Sequence, residues 1–294
     1  MQDFIHSLLS PVVPARCPGH FRRYNEGIVR TRPHPRRNGP LMPKFLTALP
    51  VYNEVAHVSR VLDEVLRHTP HVLVVDDGST DGTSQVLSAR AADRGDIRVV
   101  RHPTNLGYGA ALATAFQETL AETGTAGGWD GLVTIDCDGQ HQPQLIPDFI
   151  AAASTGSCDA PDIVSGSRYL QRFAGDSQPP EARRRINAAI TTEINDRLGL
   201  HLTDAFCGFK AYTREALASL HIQEMGYAMP LEVWVQVAAA GLRVVELPVP
   251  LVYLDLARSF GGALDDAGTR LAYYRTVLDR AELAVAAGGA SLTR

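Results

Sequence analysis

The sequence predicts an α/β protein in which a mostly parallel sheet is flanked by helices, with an irregular N-terminal arm and a C-terminal helix. Short apolar runs alternate along the chain with segments of helical periodicity. These runs are apolar almost throughout, which is typical of parallel strands buried on both faces. Loops rich in aspartate and glycine follow the runs, and ligands of open α/β sheets bind at the edge where such loops lie.

Each element rests on a local pattern. The apolar run 45–49 ends at Pro50, which predicts a buried first strand. Between Val55 and Leu66 apolar residues recur every three or four positions, which predicts a helix with one apolar face. The same two patterns predict strands at 72–75, 97–100, 132–135, 162–165 and near 244, and helices at 83–92, 109–120, 145–153, 181–198, 230–240 and 264–287.

The composition excludes several classes of protein. Of the 294 residues, 45% are apolar and 20% charged, the balance of an ordinary globular protein. No run reaches the roughly 18–20 apolar residues of a membrane span, and a net charge of −4 does not favour nucleic-acid binding. The four cysteines lie far apart without a C-x-x-C pair, which argues against a disulfide framework or a zinc site. We therefore expect a cytoplasmic protein.

The chain is expected to divide into three parts. Residues 1–43 form an arm rich in proline and arginine, and residues 1–44 carry eight Lys and Arg against two acidic residues, a net charge of +6. Residues 44–260 form the α/β domain, and residues 261–294 form the C-terminal helix and tail. The charge of the arm favours contact with anionic lipid or with a partner, and the alternative that it is only a tail stays open.

The strongest chemical signal is the loop DCDGQH at 136–141, which follows a predicted buried strand. Asp136 and Asp138 can place two carboxylates on one hard cation, and Gln140 offers a third oxygen. Mg²⁺ and Mn²⁺ prefer such ligands and often share them with substrate phosphates. Because Asp and Gly also favour turns, a solvated turn is the alternative.

Two other predicted strands also end in polar segments. The segments LPVYNE at 49–54 and VDDGSTDG at 75–82 each join a strand to a helix. An aspartate there can accept hydrogen bonds from a base or a ribose, and Tyr52 can stack on a base. Ser79 to Asp81 also fit helix capping, which is compatible with such a role. No P-loop occurs and no G-x-G-x-x-G follows the first strand, which disfavours an NTPase and a classical dinucleotide fold.

Six segments in this order resemble the family 2 glycosyltransferases of GT-A fold, and within them the dolichol- and polyprenol-phosphate mannosyl- and glucosyltransferases. The segments are LPVYNE, VVDDGSTDGT, NLGYGAAL, TIDCDGQHQP, VSGSRY and DAFCGFKAY, spread over roughly residues 45–250. The resemblance implies a Rossmann-like GT-A domain with a nucleotide-sugar-binding half at 44–160 and an acceptor half at 161–260. It implies metal-dependent, inverting transfer of a hexose from a UDP- or GDP-linked donor to a polyprenyl or dolichyl phosphate.

The resemblance also implies a role for each matching residue. The donor would be held by Pro50, Tyr52, Glu54, Asp77, Asp136 and Asp138. Mg²⁺ or Mn²⁺ would be held by Asp136, Asp138 and Gln140, the DXD motif and its neighbour. Arg168 would lie at the acceptor phosphate with help from the Arg183–Arg185 cluster, for which a solvated helix face is the alternative. The candidates for catalysis are Asp138, Arg168, Asp204 and Glu232.

The acceptor is the open part of the prediction. A phosphate acceptor is largely dianionic at neutral pH and needs only arginines to position it. A hydroxyl acceptor needs a general base, for which Asp204 is the first candidate and Glu232 the second. Three departures from the family touch the acceptor side: LQRF at 170–173, LDLARSF at 254–260, and no C-terminal membrane helices in this sequence.

Three alternatives therefore stay open. They are a soluble glycosyltransferase with a small hydroxyl acceptor, a non-catalytic nucleotide-sugar-binding protein, and a nucleotidyltransferase or nucleotide-binding regulator. A lipid acceptor implies peripheral contact at the cytoplasmic face of a membrane, or a membrane partner protein.

Overall fold

The computed structural model describes residues 43–93, 97–122, 128–154, 160–254 and 262–291. The predicted N-terminal arm therefore lies outside the described residues, except for its last position. The described strands are β1 (Phe45–Val51), β2 (Val72–Asp76), β3 (Ile97–Arg101), β4 (Gly131–Thr134), β5 (Ile163–Ser167), β6 (Lys210–Thr213) and β7 (Val244–Pro248). They form one seven-stranded sheet in the order β3-β2-β1-β4-β6-β5-β7.

Helices cover both faces of this sheet. The described α-helices are α1 (Val58–Val65), α2 (Thr83–Asp93), α3 (Tyr108–Ala121), α4 (Ile146–Ala153), α5 (Glu181–Leu198), α6 (Arg214–Ser219), α7 (Met229–Ala240) and α8 (Ala267–Ser291). The α/β fold class with a mostly parallel sheet and a C-terminal helix is thereby confirmed. Within the described ranges, no helix is long and apolar enough to cross a membrane.

The sheet separates two apolar cores, because successive side chains of a strand point to opposite faces. Phe45 and Leu49 of β1 lie in one core, together with residues of α1, α2 and α4. Leu46 and Ala48 lie in the other core, against α3, α5, α7 and α8. Both faces of β1 are thus buried, which explains why its sequence is apolar almost throughout.

Strand β6 and the short helix α6 were not predicted. β6 has only four residues and begins with a lysine, so it lacks the apolar run that identified the other strands. It runs antiparallel to both β4 and β5, while β5 pairs in parallel with β7. The sheet is therefore mixed at this side, although its other pairings are parallel.

The strand order brings the functional segments to one edge. β1 is parallel to β2 on one side and to β4 on the other. From β1 the chain adds β2 and β3 on one side of the sheet and then β4 on the opposite side, so the order of the strands changes direction between β1 and β4. Ligands of open α/β sheets bind outside the carboxyl ends of the strands at such a point. Because β6 is antiparallel to β4 and β5, the carboxyl ends of these two strands and the amino end of β6 share that edge.

Candidate active site

A cleft of about 680 Å³ opens at this edge of the sheet. Its volume lies in the range of sites that enclose small molecules. Its lining includes most of the predicted site residues: Pro50, Tyr52, Glu54, Asp77, Asp136, Asp138, Gln140, Arg168 and Arg183. Asp204 and Glu232 are not part of the lining. The fold thus brings most of the predicted site residues into one cleft and leaves Asp204 and Glu232 outside its lining.

The loops that follow β1 and β2 are fastened to each other. The Asn53 amide donates to Ser79 Oγ at 2.9 Å, and the Thr80 amide donates to Asn53 Oδ1 at 2.8 Å. The Glu54 amide donates to Thr83 Oγ1 at 2.9 Å. Asn53 has a φ of 54°, a left-handed conformation that asparagine tolerates better than most residues. These bonds fix one wall of the cleft before any ligand enters.

Asp77 anchors the next part of the wall. Its carboxylate is almost fully buried and accepts the amides of Leu106 at 2.9 Å and Gly107 at 2.8 Å. His102 Nδ1 donates to the same carboxylate at 2.7 Å. Asp77 therefore holds the loop that begins α3, in addition to lining the cleft. Its contact with a nucleoside stays a prediction.

Asp136 lines the cleft, two residues after the end of β4. Its Oδ1 accepts the Tyr108 hydroxyl at 3.0 Å, and its amide donates to His141 Nδ1 at 3.1 Å. Burial, together with the negative charge of Asp136, raises the pKa of Tyr108, so this phenol stays protonated and donates. The backbone of Gly208 comes so close that a Cβ there would lie 2.5 Å and 2.6 Å from the carboxylate oxygens.

Asp138 and Gln140 form a second oxygen-bearing pair in the same loop. The Gln140 amide donates to Asp138 Oδ1 at 3.0 Å, and its Nε2 donates to Asp138 Oδ2 at 2.8 Å. Both side chains line the cleft beside Asp136. In the part of the chain that the structure describes, no three His, Cys, Asp or Glu side chains form a metal-binding group. This donor set fits Mg²⁺ or Mn²⁺, which take oxygen ligands and complete their coordination with water and substrate phosphates.

Arg168 follows β5 and pairs with Asp204, which precedes β6. Its Nε and Nη2 donate to the two oxygens of Asp204 at 2.6 Å and 3.0 Å, and its amide donates to Oδ2 at 3.2 Å. Asp204 is fully buried. Burial alone would raise the pKa of Asp204, but the charge and hydrogen bonds of Arg168, with a bond from Asn187, lower it to about 2.

This arrangement does not support the expected role of Asp204 or Glu232 as a general base. Asp204 also accepts Asn187 Nδ2 at 2.9 Å and the Phe206 amide at 3.1 Å, so its oxygens are fully engaged. Glu232 is buried, and its Oε2 accepts the amides of Gln223 at 2.9 Å and Glu224 at 2.8 Å. The sequence names these carboxylates as candidate bases for a hydroxyl acceptor, but the donors that the fold brings to them are visible only in the structure. Both hold backbone in place.

The three arginines of the cluster on α5 lie in different environments. Arg183 lines the cleft, whereas Arg185 pairs with Glu181 on the exposed face of the helix. Arg184 is exposed to solvent. The solvated-face alternative therefore holds for two of the three arginines, and only Arg183 is placed to meet a ligand in the cleft.

Sequence reasoning missed several residues that line the cleft: Asn187, Tyr227, Tyr253, Arg270 and Tyr274. Arg270 on α8 is 4% exposed, and its Nη1 donates to the Leu264 carbonyl at 2.6 Å. A signal was present, because Arg270 occurs at helical spacing with the buried residues Tyr274, Val277 and Ala281. An arginine on the apolar face of a helix is a candidate for a role other than solvation.

Comparison with known proteins gives the same picture. Residues 47–220 match the family described as "Glycosyl transferase family 2". The undecaprenyl-phosphate mannosyltransferase of Micrococcus luteus is 33% identical over 233 residues, covering 76% of this chain and 90% of that protein. The polyprenol monophosphomannose synthase of Mycolicibacterium smegmatis is 29% identical over 250 residues, covering 81% and 90%.

Among solved structures, the fold is similar to that of glucosyl-3-phosphoglycerate synthase from Mycobacterium tuberculosis. Its complex with Mg²⁺ and uridine diphosphate aligns with a TM-score of 0.58 at 20% identity, covering 81% of this chain and 79% of that one. At this identity the likeness establishes the fold, which is GT-A.

Proposed function

Because the chain belongs to glycosyltransferase family 2, we propose that it transfers a hexose from a nucleoside-diphosphate sugar to a polyprenyl phosphate. The observation that carries the proposal is that carboxylates and arginines from different elements line one cleft. The carboxylates Asp136 and Asp138 follow β4, and the arginines Arg168, Arg183 and Arg270 come from the end of β5, from α5 and from α8. The carboxylates are suited to a metal-bound diphosphate and the arginines to a second anion.

The donor binds along the wall formed by the loops after β1 and β2. Tyr52 is 41% exposed and lines the cleft, so its ring is available to stack on a base. Pro50, Glu54 and Asp77 complete this nucleoside side. The hydrogen bonds between the two loops preorganise it, which lowers the entropy cost of binding.

Asp136, Asp138 and Gln140 would hold Mg²⁺ or Mn²⁺ near the donor diphosphate. When bound, the cation supplies neutralisation of the charge that builds on the leaving group. Tyr108 keeps Asp136 in place through its hydroxyl, and Gln140 does the same for Asp138. Fixing these carboxylates in advance is how electrostatic stabilisation avoids reorganisation during the reaction.

The acceptor phosphate binds on the arginine side. An oxygen of the phosphate forms the new bond to the anomeric carbon, while the bond from that carbon to the diphosphate breaks and its electron pair leaves with the nucleoside diphosphate. The transition state is oxocarbenium-like. A dianionic phosphate has no proton to lose, so the displacement requires no protein base. Asp204 holds the Arg168 guanidinium through two hydrogen bonds. The remaining N–H groups of Arg168 are therefore presented in a fixed orientation.

The state of the two expected bases favours this acceptor over a hydroxyl. Asp204 and Glu232 are buried, both accept hydrogen bonds from groups of the protein, and neither lines the cleft. The names of two relatives, a polyprenol monophosphomannose synthase and an undecaprenyl-phosphate mannosyltransferase, support the same acceptor class.

The decisive experiment compares two lipids that differ only in the phosphate. Purified protein is incubated with Mn²⁺ and, in turn, UDP-glucose and GDP-mannose, with either a short-chain polyprenyl phosphate or the matching polyprenol. We expect a glycolipid product from the phosphate and none from the alcohol, and loss of product when EDTA removes the metal. Transfer to the polyprenol instead of the polyprenyl phosphate would refute the phosphate acceptor.

A further inference from the structure

The C-terminal helix α8 is tied to the wall of the cleft through one buried carboxylate. Glu224, in the segment between α6 and α7, is 6% exposed. It accepts the Tyr273 hydroxyl and an Arg280 N–H, both from α8, and the Gly226 amide at 3.0 Å. Burial and the charge of Glu224 raise the pKa of Tyr273, so the phenol remains a donor.

The segment that Glu224 anchors is seated directly on the start of α3. The Ala110 amide donates to the Met225 carbonyl at 3.2 Å. A Cβ at Gly107 would lie 2.3 Å from the Met225 carbonyl oxygen, and one at Gly109 would lie 2.1 Å from that of Glu224. This backbone-to-backbone contact leaves no space for side chains, so a shift of the segment would move α3.

Two tyrosines continue the connection to the metal loop. Tyr227 stacks on Tyr108, with ring centroids 6.0 Å apart and planes inclined by 18°. Tyr108 donates its hydroxyl to Asp136 at 3.0 Å. Both tyrosines line the cleft. A continuous series of contacts thus runs from α8 through Glu224, Tyr227 and Tyr108 to the carboxylate of Asp136.

We propose that Glu224 is a positioning residue that holds the Tyr108 side of the cleft in place from the C-terminal helix. Its function rests on the proposed role of Asp136, because the tyrosine it positions orients that carboxylate. The helix α8 then contributes to the geometry of the cleft through Tyr273 and Arg280, which hold Glu224. The two carboxylate oxygens of Glu224 accept hydrogen bonds from Tyr273, the Gly226 amide and the cationic Arg280. A glutamine has one acceptor oxygen and no charge, so it cannot replace all three interactions.

The first test uses the protein without ligands. Glu224→Gln should increase amide exchange in segments 105–111 and 223–228, measured by mass spectrometry, by about tenfold. The matched control is Arg275→Met, which breaks an α8 ion pair to Glu193 that does not reach the cleft. The control should leave both segments unchanged. Unchanged exchange in a folded Glu224→Gln protein would overturn the proposal.

The second test asks whether Glu224 acts through Tyr108. Affinities for UDP and GDP are measured by calorimetry with Mn²⁺ for wild type, Glu224→Gln, Tyr108→Phe and the double variant. Each single change should weaken binding by roughly three- to tenfold, and the double variant should be no weaker than Tyr108→Phe alone, because coupled residues are not additive. Additive losses would overturn the proposal. If wild type binds neither nucleotide with Mn²⁺, the proposed donor site fails while the exchange experiment still decides the role of Glu224.

Discussion

Asp204→Asn separates a structural carboxylate from a catalytic base. The substitution keeps the shape of the side chain but removes the charge that pairs with Arg168 in a fully buried position. The pKa of Asp204 lies at about 2 instead of 3.8. At 1.36 kcal/mol for each pKa unit, the ionised form is stabilised by about 2 kcal/mol relative to the unfolded chain. Breaking a fully buried ion pair costs roughly 3–5 kcal/mol. The Arg168 side chain is 18% exposed, so the cost of losing this pair should lie at or below the lower part of that range.

We therefore expect Asp204→Asn to lower the free energy of unfolding by about 2–4 kcal/mol. For a domain of this size that corresponds to a fall in Tm of roughly 5–15 °C. The effect should depend on pH in a defined direction. A carboxylate whose folded pKa is lowered stabilises the protein above its unfolded pKa, 3.8, and loses that contribution as the pH falls through about 2. The difference in free energy of unfolding between wild type and Asp204→Asn should therefore decrease as the pH is lowered from 5 to 2.

The assay is urea denaturation from pH 7 downward, with Tm measured in parallel. Asp279→Asn is the matched control, since it removes a carboxylate that pairs with Arg197 at 2.6 Å but is 59% exposed. Exposed ion pairs contribute at most about 1 kcal/mol, so the control should stay close to wild type. A variant with wild-type Tm and turnover reduced more than about a hundredfold would refute our reasoning and restore Asp204 as a general base.

Three further predictions concern the cleft. Asp138→Ala should lower turnover at saturating Mn²⁺ by a factor on the order of 10²–10³, because a proposed ligand of the metal is lost. The circular dichroism spectrum should stay unchanged. Near-normal turnover would contradict the metal assignment. Arg168→Lys should raise KM for polyprenyl phosphate more than KM for the donor, since lysine does not reproduce the guanidinium fork; equal changes in steady-state kinetics would count against an acceptor role. Gly208→Ala should displace Asp136, because the new Cβ would lie 2.5–2.6 Å from its carboxylate oxygens. Calorimetry should show that Mn²⁺-dependent nucleotide binding is weakened at least about tenfold. Unchanged binding would show that Asp136 is not a ligand of the metal.

The cleft wall formed by the loops after β1, β2 and β4 could be predicted from the sequence because its signals are local. Each loop follows a strand whose apolar run is visible in the sequence, and parallel strands bring their carboxyl ends to one edge. The position of Tyr52, Asp77 and Asp136 in one cleft follows from those two facts. β6 was missed because its four residues lack an apolar run and its partners are distant in the sequence.

The acceptor side could not be predicted in the same way, because the state of its charges is set by partners that lie far apart in the chain. Asp204 and Arg168 are 36 residues apart, and Glu224 and Arg280 are 56 apart. Whether a carboxylate is a base or an anchor depends on the donors that reach it, and these are fixed only when β5, β6, α5 and α8 have packed. A sequence pattern can therefore identify the carboxylate and the arginine, but not that one neutralises the other. The same packing holds the Arg168 guanidinium in one orientation at the cleft, so the ion pair that we propose makes Asp204 an anchor would also prepare Arg168 for an anionic acceptor.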